Sequence, residues 1–279
     1  MTFEGESMRR DRAVIRSTYL ARIAGVRGRL RDTFRLVKRA VRTIFGTDHL
    51  LRCDISIPKS RLGSDYGGWT VCLDLLKREP TIIYSVGLGH DISFDLALAA
   101  EITCEIFGFD PTPKTRAWLT THPLPACFHY VPVGLADRDG LLEFGLPSDP
   151  SFDDFSLVRK DKAEFVLCEV QRLSSLAAKL RHTRIDLLKM DIEGAEYQVI
   201  DDLCSGSLLP AQLLIEFHHR INDAHIRDTL RSIAKLRGAG YLLFAISPSG
   251  RELSFVHVDA LESLTKGPRI KDTGQQSAH

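Results

Sequence analysis

Along most of this chain, short continuous apolar runs alternate with stretches whose apolar residues recur every three or four positions. This is the pattern of parallel strands covered by helices on both faces. Ile82–Val86, Phe107–Phe109, Phe128–Val133, Ile185–Met190 and Leu213–Phe217 predict five core strands in that order. Pro111 and Pro113 suit the first turn of a helix running to about Thr121. Leu173–Leu180 predicts a short helix, and another follows Asp191 and runs through Leu203. Ile226, Leu230, Ile233 and Leu236 mark the apolar face of a helix that Gly238 and Gly240 stop. Tyr241–Ile246 and Leu253–Val258 predict a closing antiparallel pair, while Leu141–Phe144 and Glu164–Val170 form a hairpin-like excursion around polar residues 148–162. Upstream, Tyr19, Ile23, Val26, Leu30, Phe34, Val37, Val41 and Ile44 make one apolar stripe, along a single amphipathic helix or two broken near Gly25 and Gly28.

Strands alternating with helices imply an α/β fold with a mostly parallel sheet that binds ligands outside the carboxyl ends of its strands. Asp91, Asp110, Asp137, Asp191 and His218 all fall at such predicted ends. The first strand runs into Gly87-Leu88-Gly89, and a helix begins at Asp91 or Ser93. Glycines there permit a sharp turn with positive φ and leave room for a ligand against the backbone. Asp110 ends the next strand, where a carboxylate can accept both hydroxyls of a ribose. A dinucleotide fingerprint carries a third small residue where this chain has Ile92, so the turn suits NAD poorly. A ligand with adenosine but no phosphate, such as S-adenosylmethionine, fits better, its methionine carboxylate taking the helix amino end. Just upstream, the glycine-rich stretch Arg61–Trp69 is either a tight turn anchoring Trp69 in the core or a lid that brings Tyr66 or Trp69 over the site.

With 279 residues and 44% apolar content, the chain can build one α/β domain plus an extension. No run approaches the roughly 18 apolar residues of a membrane span. The basic amino end lacks a secretory pattern, and the six scattered cysteines form no Cys-x-x-Cys pair, which together imply a cytoplasmic protein. Residues 1–46 carry 12 Lys/Arg against 4 Asp/Glu, a net of +8, leaving −7 for the rest of a chain whose total is +1. That basic stripe suits packing on the domain or on a second copy in a homo-oligomer, or peripheral contact with a membrane surface. No stacking platform accompanies the arginines, so no nucleic acid is expected.

Tyr84–Asp95, Phe109–Thr112, Val133–Asp137 and, most specifically, Lys189-Met190-Asp191-Ile192-Glu193-Gly194-Ala195-Glu196 resemble the FkbM family of S-adenosylmethionine-dependent methyltransferases, over about residues 61–260. The resemblance implies a class I methyltransferase fold, a Rossmann-like seven-stranded sheet parallel except for its last strand. Residues 1–60 would be a basic helical extension, 61–264 the methyltransferase domain and 265–279 a disordered polar tail. Gly87, Leu88 and Gly89 would contact the methionine portion of the cofactor and Asp110 its ribose. Gly134 and Leu135 would lie by the adenine, with Asp137 a partner for its amino group, and Asp191 would sit beside the sulfonium. Asp91 and Pro111 complete the expected cofactor set. The family works largely on hydroxyls of sugars and natural products, so O-methylation of a sugar, glycan or similar small molecule is the expected reaction.

A sugar hydroxyl is a poor nucleophile near neutral pH and calls for a base. His218, with an ordinary pKa of about 6.5, is one candidate, and Glu216 shares its face by strand alternation. Asp191 is the other. Glu193 and Glu196 read as complements to a helix amino end. Asp191, Glu216 and His218 are also metal-ligating types, but no adjacent aspartate pair reinforces them and no metal site is expected. Two other functions compete: a catalytically inactive module working through its basic helix, and a nicotinamide-dependent oxidoreductase.

Overall fold

The computed structural model describes residues 33–44, 48–145, 165–219 and 225–265. It divides into two units, residues 1–50 with 248–250 and residues 51–247 with 251–279. In the first, residues 33–44 form a helix, α1, whose Phe34, Val37, Val41 and Ile44 are exposed. The rest of the predicted stripe, and the tail from residue 266, lie outside the described residues. No helix among the described residues is long and apolar enough to cross a membrane.

The second unit opens with a hairpin of β1 (Ser60–Leu62) and β2 (Trp69–Val71). There follow β3 (Thr81–Val86), α2 (Ser93–Glu101), β4 (Cys104–Phe109), α3 (Pro113–Leu119) and β5 (Phe128–Val131). The excursion holds β6 (Gly134–Leu135), β7 (Gly140–Gly145) and β8 (Phe165–Gln171). The chain closes with α4 (Leu173–Leu180), β9 (Leu187–Met190), α5 (Glu196–Ser205), β10 (Gln212–Glu216), α6 (Ile226–Gly238), β11 (Tyr241–Ile246), β12 (Glu252–His257) and α7 (Val258–Thr265).

Seven strands form the main sheet in the order β11-β12-β10-β9-β3-β4-β5. Only β12 runs against the rest, pairing antiparallel with both β10 and β11. This is the expected class I topology, Rossmann-like with a reversed last strand. Strand alternation distributes the core. Ile82, Tyr84, Val86, Leu188, Met190, Leu213 and Ile215 face α4, α5 and α6. Ile83, Leu187 and Leu214 face the other way, against Phe94 and Leu98 of α2 and Trp69 of the hairpin. β3 and β9 are buried throughout, which explains their continuous apolar runs.

The expected boundary at residue 60 falls inside β1, and residues 51–60 belong with the second unit. Asp54 receives hydrogen bonds from Arg237 at 3.0 and 2.8 Å and from the Leu243 amide at 2.9 Å, while Ile55 and Ile57 pack near Phe244. The Arg61–Trp69 stretch also does more than turn. β2 docks onto the sheet because the Gln212 side chain pairs with both backbone groups of Cys72, at 3.0 and 2.9 Å.

Candidate active site

A cavity of about 270 Å³ opens at the carboxyl ends of β3, β4 and β9, where the strand order reverses direction from β3. Its floor is the turn after β3. Gly87 has φ +74°, and a Cβ there would lie 1.7 Å from the Asp191 carbonyl oxygen, so only glycine lets the β3 and β9 ends approach this closely. Gly89, at φ +52°, borders open space: a Cβ there would meet nothing within 4 Å.

Asp110 holds this turn in place. Its Oδ2 accepts from the Leu88 and Gly89 amides at 3.1 and 3.2 Å, and its Oδ1 from the Thr112 amide and hydroxyl at 2.9 and 2.6 Å. The expected ribose carboxylate thus lines the cavity with protein donors on both oxygens. Thr112 also caps α3 through the Thr115 amide, as the Pro111-Thr112-Pro113 sequence foretells.

Asp91 lines the cavity and is held at both oxygens. Its Oδ1 accepts from the Ser93 amide at 2.8 Å at the start of α2, and its Oδ2 from the Ser64 hydroxyl at 2.6 Å. Burial works to raise its pKa, but the hydrogen bonds from Ser64, Ser93 and the Gly67 backbone prevail and hold it below the usual carboxylate range. An anionic group of a ligand therefore meets a negative charge at this helix end. Such a charge opposes the methionine carboxylate expected at this helix end. The same charge disfavours a pyrophosphate, in keeping with the unsuitability for NAD.

On the far side, β9 delivers Asp191 to the cavity wall beside Ile192 and Glu193. The Lys189 ammonium lies beneath the turn, donating to the Val86 and Gly87 carbonyls, 5.6 Å from the Trp69 ring centroid. Trp69 is 5% exposed and also lines the cavity, so it serves both as core anchor and as wall; Tyr66, 89% exposed, stands at the rim.

Behind Asp191 lies His218, 2% exposed and outside the cavity lining. Its Nδ1 pairs with Glu196 Oε1 at 2.7 Å. Its Nε2 faces Glu193 Oε2 at 3.5 Å, Asp191 Oδ1 at 3.6 Å and Glu216 Oε1 at 3.8 Å. Burial disfavours charge on the ring, but the hydrogen bond and charge of Glu196, with Glu193 and Asp191, overcome it and push the pKa up to about 10. Without a competing cation, such a ring is protonated at neutral pH and has no lone pair to offer. The expected general base is therefore a buried imidazolium. Glu216, also outside the lining, is raised to about 8 by burial and then by the Asp191 charge, against the pull of Arg251 at 3.0 Å. Burial likewise raises the Asp191 carboxyl, which Lys189 and His218 pull down.

Two residues read from sequence as helix-end complements are central here. Glu196, fully buried, accepts from the Ile192 amide at 3.3 Å and from the Gly194 amide at 3.2 and 3.1 Å while holding His218. Glu193 adopts φ +50°, rare for a residue with a side chain. Their membership in the Lys189–Glu196 block was the signal available in sequence. Gly134, Leu135 and Pro111 line the cavity as expected. Asp137 does not: its carboxylate lies 3.6 Å from Arg138, and its carbonyl accepts from Arg172.

The sequence matches the methyltransferase FkbM domain over residues 69–243. The chain belongs to the FkbM methyltransferase family. It is similar to probable methyltransferase-like protein 24 of Homo sapiens, 26% identical over 159 residues, and to that of Rattus norvegicus, 27% identical over the same length. Both alignments cover 54% of this chain and 38% of the relative, so the chain spans well under half the length of these relatives. Among solved structures, methyltransferase FkbM from Methylobacillus flagellatus KT aligns at 14% identity over 64% of this chain and 44% of that one, with a TM-score of 0.41.

FkbM methyltransferases take their methyl group from S-adenosylmethionine, and the residues here fit that cofactor. The glycine turn has an open face at Gly89, the helix end beside it carries a carboxylate that repels phosphate, and the Asp191 carboxylate stands in the wall where a cation could be accepted.

Proposed function

We propose that this FkbM domain transfers the methyl group of S-adenosylmethionine to a hydroxyl oxygen of a sugar, glycan or other small natural product. The observation that carries the reading is the position of Asp191, whose carboxylate follows β9 in the cavity wall beside the glycine turn. Gly87–Gly89 would hold the cofactor's methionine portion, with Asp91 a partner for its ammonium. Asp110 would accept from its ribose in place of the Thr112 hydroxyl, and Leu135 and Pro111 would flank the adenine.

In the transfer, the acceptor oxygen forms a bond to the methyl carbon as the carbon–sulfur bond breaks. The sulfonium leaves as a neutral thioether, and the hydroxyl proton passes to Asp191. Positioning and desolvation supply most of the acceleration, since the in-line geometry must be held with reacting atoms about 3–3.5 Å apart. His218 acts at one remove, as a buried positive charge that, with Lys189, favours the ionised form of Asp191 against the effect of burial.

Two measurements test this. S-adenosylhomocysteine should bind the intact chain saturably by calorimetry, and incubation with labelled S-adenosylmethionine and a panel of glycosides should yield a methyl ether by mass spectrometry. Asp191→Asn should lower kcat by at least about 100-fold, the range for loss of a positioned base. Absence of S-adenosylhomocysteine binding would sink the reading outright.

A further inference from the structure

We propose that Asp191, Glu193 and His218 form a divalent-cation site in the wall of the cofactor cavity. Whether the cation binds does not depend on the methyltransferase reading; what it does there rests on that reading.

Geometry is the first ground. One ligand atom from each of the three residues lies within 4.8 Å of the others. His218 Nε2 stands 3.6 Å from Asp191 Oδ1 and 3.5 Å from Glu193 Oε2, too far for a hydrogen bond in either case. Ligands about 2.1 Å from a shared cation are separated by about 3.0 Å along an octahedral edge and about 3.4 Å along a tetrahedral one. The spacing is thus too wide for a shared proton and close to that of atoms around one metal ion.

Independent of the acidic cluster is the state of the ring. His218 is 2% exposed and its Nε2, aimed into the cluster, makes no hydrogen bond among the described residues. Asp191 Oδ1, also buried, has no hydrogen-bond partner there either. The opposite ring nitrogen is held by Glu196 at 2.7 Å, the outer-shell carboxylate that orients a ligating imidazole and fixes Nε2 as the metal-facing atom. Glu193 is turned toward the ring by a backbone at φ +50°. Charge agrees with geometry. Asp191, Glu193, Glu196 and Glu216 surround the ring, and among the described residues Arg251, 3.0 Å from Glu216, and Lys189 act on the group as cations.

The two carboxylates suit Mn²⁺ and Mg²⁺ and the imidazole suits Zn²⁺, so the set accepts several divalent cations, of which Mn²⁺ is the spectroscopic probe. Asp191 and Glu193 both line the cavity, so the remaining coordination positions face the space where the acceptor would lie. A hydroxyl bound there would be acidified by the cation, its proton passing to the second oxygen of Asp191.

The test uses the full chain, stripped with chelator and titrated with Mn²⁺ alone, following loss of the free-ion signal by electron paramagnetic resonance. S-adenosylhomocysteine binding and circular dichroism are recorded in parallel. The proposal expects saturable uptake of one Mn²⁺ per chain and weakening by at least about tenfold in Glu193→Gln, a variant that keeps side-chain length and fold. Asp137→Asn, outside the cavity, should bind as the parent does. Parent protein that binds S-adenosylhomocysteine yet takes up no Mn²⁺, Mg²⁺ or Zn²⁺ below millimolar concentration overturns the site, and so does a Glu193→Gln variant with undiminished uptake. Mn²⁺ uptake without S-adenosylhomocysteine binding leaves the site standing and defeats the methyltransferase reading instead.

Discussion

Replacing Glu196 should unravel the loop that presents Asp191. The side chain is fully buried, holds the His218 ring at 2.7 Å, and accepts from the amides of Ile192 and Gly194, which flank Glu193. In Glu196→Gln one carbonyl oxygen remains for those amides, but the negative charge is gone and the imidazolium keeps only the more distant carboxylates at 3.5–3.8 Å. Breaking a buried pair by removing one partner costs about 3–5 kcal/mol. Because Asp191 and Glu193 still compensate part of the charge, the lower end, about 3 kcal/mol, is expected. Glu196→Ala also orphans the Ile192 and Gly194 amides at about 1 kcal/mol each, for a total near 5 kcal/mol. Against a total stability of about 5–15 kcal/mol these are large losses. For a domain of this size, 3 kcal/mol corresponds to a fall in Tm of about 6–12 °C. Urea unfolding of chelator-treated protein at pH 7, followed by circular dichroism, should show a lower midpoint with unchanged slope. Glu193→Gln, whose carboxylate is partly exposed, should lose under about 1 kcal/mol. A Glu196→Gln variant within about 1 kcal/mol of the parent would refute the claim that this carboxylate is the anchor of the loop.

Other outcomes follow from single contacts. Gly87→Ala must displace the Asp191 backbone, because its Cβ would fall 1.7 Å from that carbonyl oxygen; S-adenosylhomocysteine binding should drop below detection in calorimetry. Asp110→Asn leaves one acceptor oxygen for donors that now occupy two, so the Kd for S-adenosylhomocysteine should rise at least about tenfold with a stability loss of about 1–3 kcal/mol. For Asp54, burial works to raise the pKa, but Arg237 and the Leu243 amide hold it below the usual value. A carboxyl lowered on folding contributes stability above its unfolded pKa of about 3.9 and loses it as pH falls through the lower folded value. Asp54→Asn should therefore unfold less steeply with acid below about pH 4, measured as Tm against pH, and identical acid limbs would contradict this. Asp137→Ala should leave S-adenosylhomocysteine affinity within about twofold, as expected for a surface carboxylate beyond the cavity.

The amino-acid order alone determined which segments become the sheet and where its ligand edge lies. Parallel strands buried on both faces must be continuously apolar, so β3, β9 and β10 were visible as runs, and the glycines after Val86 could only mark a turn at a strand end. The hairpin of β1 and β2 was not visible, because three-residue strands carry too little periodicity and this one is held by Gln212, some 140 positions away. Chemistry at the site shows the same division. The types and chain positions of Asp110, Asp191 and His218 were legible, but what each does was not. Asp110 came out pinned by the turn it was meant to serve, Asp91 as an acceptor for the Ser93 amide and the Ser64 hydroxyl, and His218 as a charged ring because Glu196 reaches it from the first turn of α5. Protonation and hydrogen-bond capacity depend on distances of a few ångströms between residues far apart in sequence, and only folding sets those distances.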